Sequence, residues 1–230
     1  FSSRLEGHPT TLFPFTEAAT GSLGQGLSIG VGMAINAKYV DRLPYHTYVL
    51  LGDSEMTEGS CWEAIQSAAY YKLDNLIGII DVNRLGQRGQ TMYGHDTTAY
   101  RKRIAAFGWD VIMVHGHSLP QMLAAYQRAK TAKGRPVMIV ARTIKGKGIS
   151  FIENKEKWHG KVLSKEEETS ALAEIGVVDT TLRGVIQKPN NQKPYLASIS
   201  TTEIPPYDSK KPVATRKAYG NALVKIFPQH

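Results

Sequence analysis

The chain has 230 residues, 42% of them hydrophobic, and a formal net charge of +8. This suits one large domain plus a tail with an ordinary globular core, and it excludes a membrane span, since no run approaches the eighteen or so apolar residues one needs. The single cysteine, Cys61, excludes an internal disulfide and agrees with a reducing compartment, while the dispersed basic residues come with no nucleic-acid-reading motif.

The first expected helix covers residues 23–39 and is rich in Gly and Ala, which suits close packing on a sheet. Gly21, Gly24 and Gly26 open it, so backbone N–H groups at its start can approach an anion. A short apolar run at 47–52 ends in Gly52-Asp53, a buried strand meeting a turn. Residues 58–73 read as a helix. Ser60 and Glu63 have capping-box spacing, and Trp62, Ile65, Ala69 and Leu73 repeat at the helical period. Residues 76–82 form a second β-branched strand that ends just before Asn83.

A helix over 98–107, a strand over 110–114 and a helix over 120–133 follow. The last presents Met122, Leu123, Tyr126 and Ala129 on one face, with Pro120 at its start and Gly134 after its end. A strand over 137–144 precedes a helix over 165–175, which Ser164 and Glu167 cap. Strands alternating with helices predict an α/β fold, a doubly wound parallel sheet with helices on both faces. From 178 to 212 the chain becomes rich in Pro, Asn, Ser and Thr and reads as an extended linker. A new helix begins near Lys217.

The strand–helix–strand unit from 47 to 82 has a chemical consequence. A right-handed crossover puts both strand ends on one sheet edge, where open α/β sheets bind ligands. Asp53 then offers a carboxylate, Asn83 an amide oxygen, and the turn through Leu85 a backbone carbonyl. Hard divalent cations such as Mg²⁺ take oxygen donors of this kind and leave room for phosphate oxygens. The +8 charge reads either as a solvated basic surface or as attraction for phosphorylated ligands.

At these residues the chain resembles the transketolases, which use thiamine diphosphate. The family's Gly-Asp-Gly, followed later by Asn, stands here as Gly52, Asp53, Ser54 and Asn83. Other blocks agree in order: Gly7-His8-Pro9, residues 20–26, residues 71–76, residues 106–109, Lys145-Gly146-Lys147-Gly148 and Trp158-His159-Gly160-Lys161. Asn83-Arg84-Leu85-Gly86-Gln87 is most similar to the animal-type branch. The resemblance implies the fold named above, in its thiamine-diphosphate-binding form. It also implies thiamine diphosphate held through Mg²⁺, with Ca²⁺ or Mn²⁺ as substitutes. Asp53, Asn83 and the Leu85 carbonyl would be the metal ligands. Gly21, Leu23, Gly52, Asp53, Ser54, Glu58, Asn83, Gln87 and Lys145 would line the cofactor. His8 and His159 would orient the sugar donor and move protons.

The implied reaction is transfer of a two-carbon ketol unit from a ketose phosphate to an aldose phosphate, in the cytoplasm. Implied partners are sugar phosphates, a pyrimidine-binding domain from the rest of the polypeptide or from a partner subunit, and a second copy in a homodimer. Neither nucleic acid nor membrane is expected. Residues 1–177 would be the diphosphate-binding domain without its upstream part, 178–212 the linker, and 213–230 the start of the pyrimidine-binding domain. On that reading these residues alone do not turn over. Two alternatives stand: a non-catalytic, cofactor-binding or regulatory homologue marked by Ser54, and a synthase- or dehydrogenase-type thiamine enzyme subunit. Ser54 and His115 depart from the family pattern, which has Gly and usually Asp there. The tryptophans and His117 are expected to serve packing.

Overall fold

The computed structural model describes residues 5–185, 190–196, 207–208 and 210–226. Four parallel strands form the main sheet: β1 (Thr47–Gly52), β2 (Leu76–Val82), β5 (Asp110–His115) and β6 (Val137–Arg142). Their order across the sheet is β1-β2-β6-β5. Two short strands, β3 (Leu85–Gly86) and β4 (Gly89–Gln90), make a small antiparallel hairpin beyond β2. Six α-helices accompany them: α1 (Gln25–Ile35), α2 (Gly59–Tyr70), α3 (Thr97–Ala106), α4 (Leu119–Lys130), α5 (Lys165–Ile175) and α6 (Thr215–Ile226).

The side-chain alternation of a strand assigns each face. On one face Val49, Leu51, Leu76, Ile80, Val82, Met138 and Val140 pack against α1, α2 and α3. On the other, Ile77, Ile79, Ile112, Val137 and Ile139 pack against Ala125 and Ala129 of α4. Both faces of β2 and β6 are therefore covered, which is why their sequences are continuously apolar rather than alternating. β1 is one of the two edge strands. Its Tyr48 and Leu50 point to the α4 side and stay exposed, Leu50 at 72%.

Several boundaries differ from the sequence expectation for identifiable reasons. α1 begins at Gln25 because Gly24 sits at φ 87°, and its end widens into a π-helical turn over Asn36–Val40. α2 ends at Tyr70, and Lys72 then takes a left-handed φ of 50°. The expected Ser60–Glu63 capping box is absent. Glu58 is the N-cap without a side-chain bond, and the Ser60 hydroxyl instead donates to the Gly24 carbonyl at 3.0 Å. On α4 the buried positions are Ala125 and Ala129, while Leu123 is 63% exposed. The capping box at Ser164 and Glu167 forms as its spacing requires, and it starts α5.

Between α5 and α6 the described residues contain no helix or strand. There Tyr195 donates its N–H to the Asp41 carbonyl at 2.8 Å and lies 3.9 Å from the Arg42 guanidinium. The rest of the expected linker, residues 186–189, 197–206 and 209, lies outside the described residues. No helix among the described residues is long and apolar enough to cross a membrane.

Candidate functional site

Parallel pairing of β1 with β2 aligns Gly52 with Asp81, so the turns after both strands open at the same edge. Asp53 lies in the first turn and is 3% exposed. Its Oδ1 accepts the Ser54 N–H at 2.9 Å. Its Oδ2 accepts the Arg84 N–H at 2.7 Å and the Thr91 hydroxyl at 3.1 Å. Arg84 is bonded to Asn83, so the Asp53 carboxylate sits directly against the peptide that carries Asn83. The two turns meet.

Burial pushes the Asp53 carboxyl above its ordinary range, against the opposing pull of the Arg84, Thr91 and Ser54 donors. A buried acid with only neutral donors is a costly group unless a cation joins it. Behind it, burial and the Asp53 charge push the Tyr100 phenol up to about 12, and the Tyr100 hydroxyl donates to the Asp53 carbonyl at 3.4 Å.

Asn83 is oriented by Asp81. Its Nδ2 donates to Asp81 Oδ2 at 3.1 Å, while its Oδ1 accepts the Leu85 N–H at 3.1 Å. The other Asp81 oxygen accepts from Thr143 Oγ1. The Thr143 carbonyl in turn meets His95 Nε2 at 2.9 Å, which fixes that nitrogen as the protonated one. The Asp53 carboxylate and the Asn83 amide oxygen lie in the two turns that meet, and oxygen donors of this kind are chemically suited to a small divalent cation. Among the described residues no group of three or more His, Cys, Asp or Glu side chains is placed to hold a metal ion.

The glycine turn lies beside this edge. Gly21 takes φ 141°, and a Cβ there would stand 2.6 Å from the His8 ring. His8 and Gly21 are thus in contact, and the positive φ favours glycine here. Gly24 donates its N–H to Glu55 Oε1 at 2.8 Å, and Gly52 donates to Glu55 Oε2 at 3.1 Å. Gly21, half-exposed Leu23 and Glu55 line a cavity of about 720 Å³ that runs along the outer side of β1 past Tyr48 and Leu50. Asp53, Ser54 and Asn83 do not line it.

A third loop follows β6. Lys145 Nζ lies 3.3 Å from His159 Nδ1, which brings those two expected residues together. Arg84, at φ 68°, clamps this loop by donating to the Asn154 side chain at 2.6 Å and to its carbonyl at 3.0 Å. Glu58 and Gln87 are exposed, Gln87 at the tip of the β3–β4 hairpin. Ser54 has helical backbone angles, φ −68° and ψ −32°, so its side chain requires no unusual conformation. His117 Nε2 accepts the Ile144 N–H at 2.8 Å, and Trp109 is buried with its indole donating to the Ile65 carbonyl. Burial with Glu55 and Glu58 nearby pushes the Cys61 thiol up to about 11; it stays protonated and unreactive at neutral pH.

Residue patterning did not single out Glu55, Asp81, Arg84, Thr91 or Thr143. Asp81 carried one usable signal, a charge near the end of an otherwise apolar strand. Glu55 stood next to the acidic turn.

A parallel α/β sheet with a glycine turn and a buried acidic turn at its carboxyl edge defines the class of open α/β folds that bind ligands at that edge. The model of the transketolase, thiamine diphosphate binding domain matches residues 1–187, and the chain belongs to the transketolase family. Human transketolase is 44% identical over 98% of this chain and 36% of its own length. Bovine transketolase-like protein 2 is 44% identical over 96% of the chain and 36% of its length. The chain therefore spans about a third of these relatives. Among solved structures, transketolase from Leishmania mexicana superposes with a TM-score of 0.68 at 34% identity, covering 75% of this chain and 27% of its own. Transketolase from Campylobacter jejuni gives 0.67 at 33% identity, covering 74% and 28%.

Proposed function

We propose that this chain supplies the diphosphate- and metal-holding half of a thiamine diphosphate site for ketol transfer. The polypeptide that contains it moves a two-carbon unit from a ketose phosphate to an aldose phosphate. The observation that carries this reading is the buried Asp53 carboxylate receiving the Arg84 N–H, which joins the two turns where a cation and a diphosphate would lie.

In this reading Asp53, Asn83 and the Leu85 carbonyl hold Mg²⁺, for which Ca²⁺ or Mn²⁺ can substitute. Gly21, Leu23, Gly52, Ser54, Glu58, Gln87 and Lys145 line the cofactor. When bound, thiamine diphosphate supplies a carbon nucleophile and an electron sink. The chain's own part is binding and proton handling. The Lys145 ammonium offsets diphosphate charge. His8, set against Gly21, and His159, set against Lys145, orient the donor's hydroxyls and exchange protons with them. Residues 1–177 act as the diphosphate domain, 178–212 as a linker, and 213–230 open a pyrimidine-binding domain that closes the site within a homodimer. The setting is cytoplasmic, in keeping with the single buried Cys61. The helical backbone of Ser54 argues against reading that residue as a mark of lost function. Family membership argues against a synthase or dehydrogenase subunit.

Calorimetry of the full-length polypeptide with thiamine diphosphate and Mg²⁺ tests the site, and product analysis with xylulose 5-phosphate and ribose 5-phosphate tests the reaction. Cation-dependent binding with heptulose formation is expected. Absence of binding in both metal-replete and metal-free buffer refutes the assignment.

A further inference from the structure

The Glu55 carboxylate joins its own turn, at Gly52, to Gly24, which lies 31 positions before Glu55 in sequence. We propose that Glu55 is a positioning residue for diphosphate binding, a gauge that sets the glycine turn at one fixed distance from the Asp53 turn. This role rests on the diphosphate reading given above and names a residue that reading does not use.

Each Glu55 oxygen serves one loop. Oε1 takes the Gly24 N–H at 2.8 Å, at the residue from which α1 starts, and Oε2 takes the Gly52 N–H at 3.1 Å, one residue before Asp53. Glu55 is 9% exposed and makes no ion pair among the described residues. Its charge is instead met by backbone N–H groups and the positive end of α1. Gly24 has no side chain to cap the helix, and Glu55 takes up the N–H of that N-cap residue. A Cβ on Gly24 would stand 2.4 Å from Ser60 Oγ and 2.8 Å from Glu58 Cβ, so the turn is pressed close against the start of α2.

The segment before α1 is irregular. Among the described residues its other ties near this point include the Thr20 N–H on the Pro9 carbonyl and the Ser60 hydroxyl on the Gly24 carbonyl. A segment held by so few bonds opens locally long before the sheet unfolds. Losing one Glu55 bond therefore loosens Gly21 and Leu23 relative to Asp53 without unfolding the domain. The occupied Gly24 amide is also withheld from the cofactor. A glutamine retains only one acceptor and can hold only one of the two loops.

The test uses the full-length polypeptide carrying Glu55→Gln. Three quantities are read: the thiamine diphosphate dissociation constant at saturating Mg²⁺, the melting temperature without cofactor, and amide exchange over residues 20–26. Affinity should fall about 10- to 100-fold, the worth of one hydrogen bond to a charged group. Exchange over 20–26 should quicken while residues 76–82 keep their rate, and the melting temperature should move by less than about 3 °C. Glu55→Asp keeps two oxygens but draws them back by one methylene; it should fall between the two and carries the comparison if the glutamine variant does not fold. Wild-type protein that binds cofactor beside variants that bind equally well refutes the role of Glu55 alone. Affinity lost only in step with a general fall in melting temperature refutes it too. Wild-type protein that binds no cofactor refutes the diphosphate reading, and this role with it.

Discussion

Asp53 illustrates how much one side chain can organise. Its carboxylate serves three donors from three places in the chain: its neighbour Ser54, Arg84 after β2, and Thr91 after β4. Replacing it by alanine leaves the Arg84 N–H and the Thr91 hydroxyl without an acceptor in a buried setting. Each orphaned group costs about 1–3 kcal/mol. Asp53→Ala should therefore lower cofactor-free stability in urea titrations and abolish the cation-dependent part of thiamine diphosphate binding in calorimetry. Unchanged cation dependence in the folded variant would remove Asp53 from the ligand set. Ser54 beside it makes the opposite kind of statement. Its φ of −68° gains nothing from glycine, so Ser54→Gly should leave cofactor affinity the same or tighter. Glycine adds backbone freedom to the unfolded chain, which lowers stability by about 0.5–1 kcal/mol. A clear loss of affinity in Ser54→Gly would reveal a contact made by the serine hydroxyl.

At the scale of elements, the start of α1 depends on Gly24. Its φ of 87° and its closeness to both Ser60 and Glu58 are separate demands. Gly24→Ala should destabilise the protein by more than about 2 kcal/mol, since a left-handed angle and a steric clash act together. Adding Ser60→Ala removes the nearer atom but neither the angle nor the Glu58 contact, so denaturant melts of the double variant should recover only a minor share. Full recovery would show that the hydroxyl clash alone sets the requirement. The same pair explains what patterning could read here. Strands 47–52 and 76–82 were legible to the residue because apolar β-branched runs ending in Gly-Asp or Asn admit few alternatives. The α5 cap was legible because Ser164 and Glu167 bond to each other's backbone within one turn. The Ser60–Glu63 spacing looked identical, yet Ser60 turned to the Gly24 carbonyl. α2 begins at Gly59 with Glu58 at its N-cap, so Ser60 lies inside the helix rather than at its cap, and local spacing carries no record of that. Leu123 fails similarly: helical spacing names a stripe, but Ala125 and Ala129 sit tight against the sheet with Tyr126 partly buried beside them, while Leu123 faces outward. In the site, the Asp53–Asn83 convergence followed from strand topology. Glu55, Arg84 and Thr143 act between loops distant in sequence, which spacing does not reveal.

Across the whole molecule, the edge opposite the site is held by a different acid. Asp74 lies in the turn before β2, within the block 71–76 that marked the family resemblance. Its Oδ1 accepts the Lys38 ammonium at 2.7 Å and its Oδ2 the Gly134 N–H at 2.8 Å. Lys38 also donates to the Lys72 carbonyl at 2.5 Å. One carboxylate thus ties the π-helical turn after α1, the α2–β2 turn and the α4–β6 turn. Partial burial pushes the Asp74 carboxyl up, but the Lys38 ammonium and the Gly134 N–H outweigh it and hold the group below its ordinary value. A carboxyl depressed in the folded state contributes stability above its unfolded value, about 3.9. That contribution is lost as pH falls through the folded value. Asp74→Asn should therefore be less stable than wild type by about 1 kcal/mol at neutral pH, a figure already reduced for the partial exposure of both partners. The gap should be complete above about pH 5 and close progressively below about pH 4. Urea unfolding from pH 3 to 7 measures it. A gap that stays constant over that range would show that Asp74 acts through shape and neutral hydrogen bonding rather than through its charge. Cofactor binding at the far edge should be unaltered in the same variant, because the two ends of the parallel strands are joined by the rigid β1–β2–β6 ladder rather than by any shared loop.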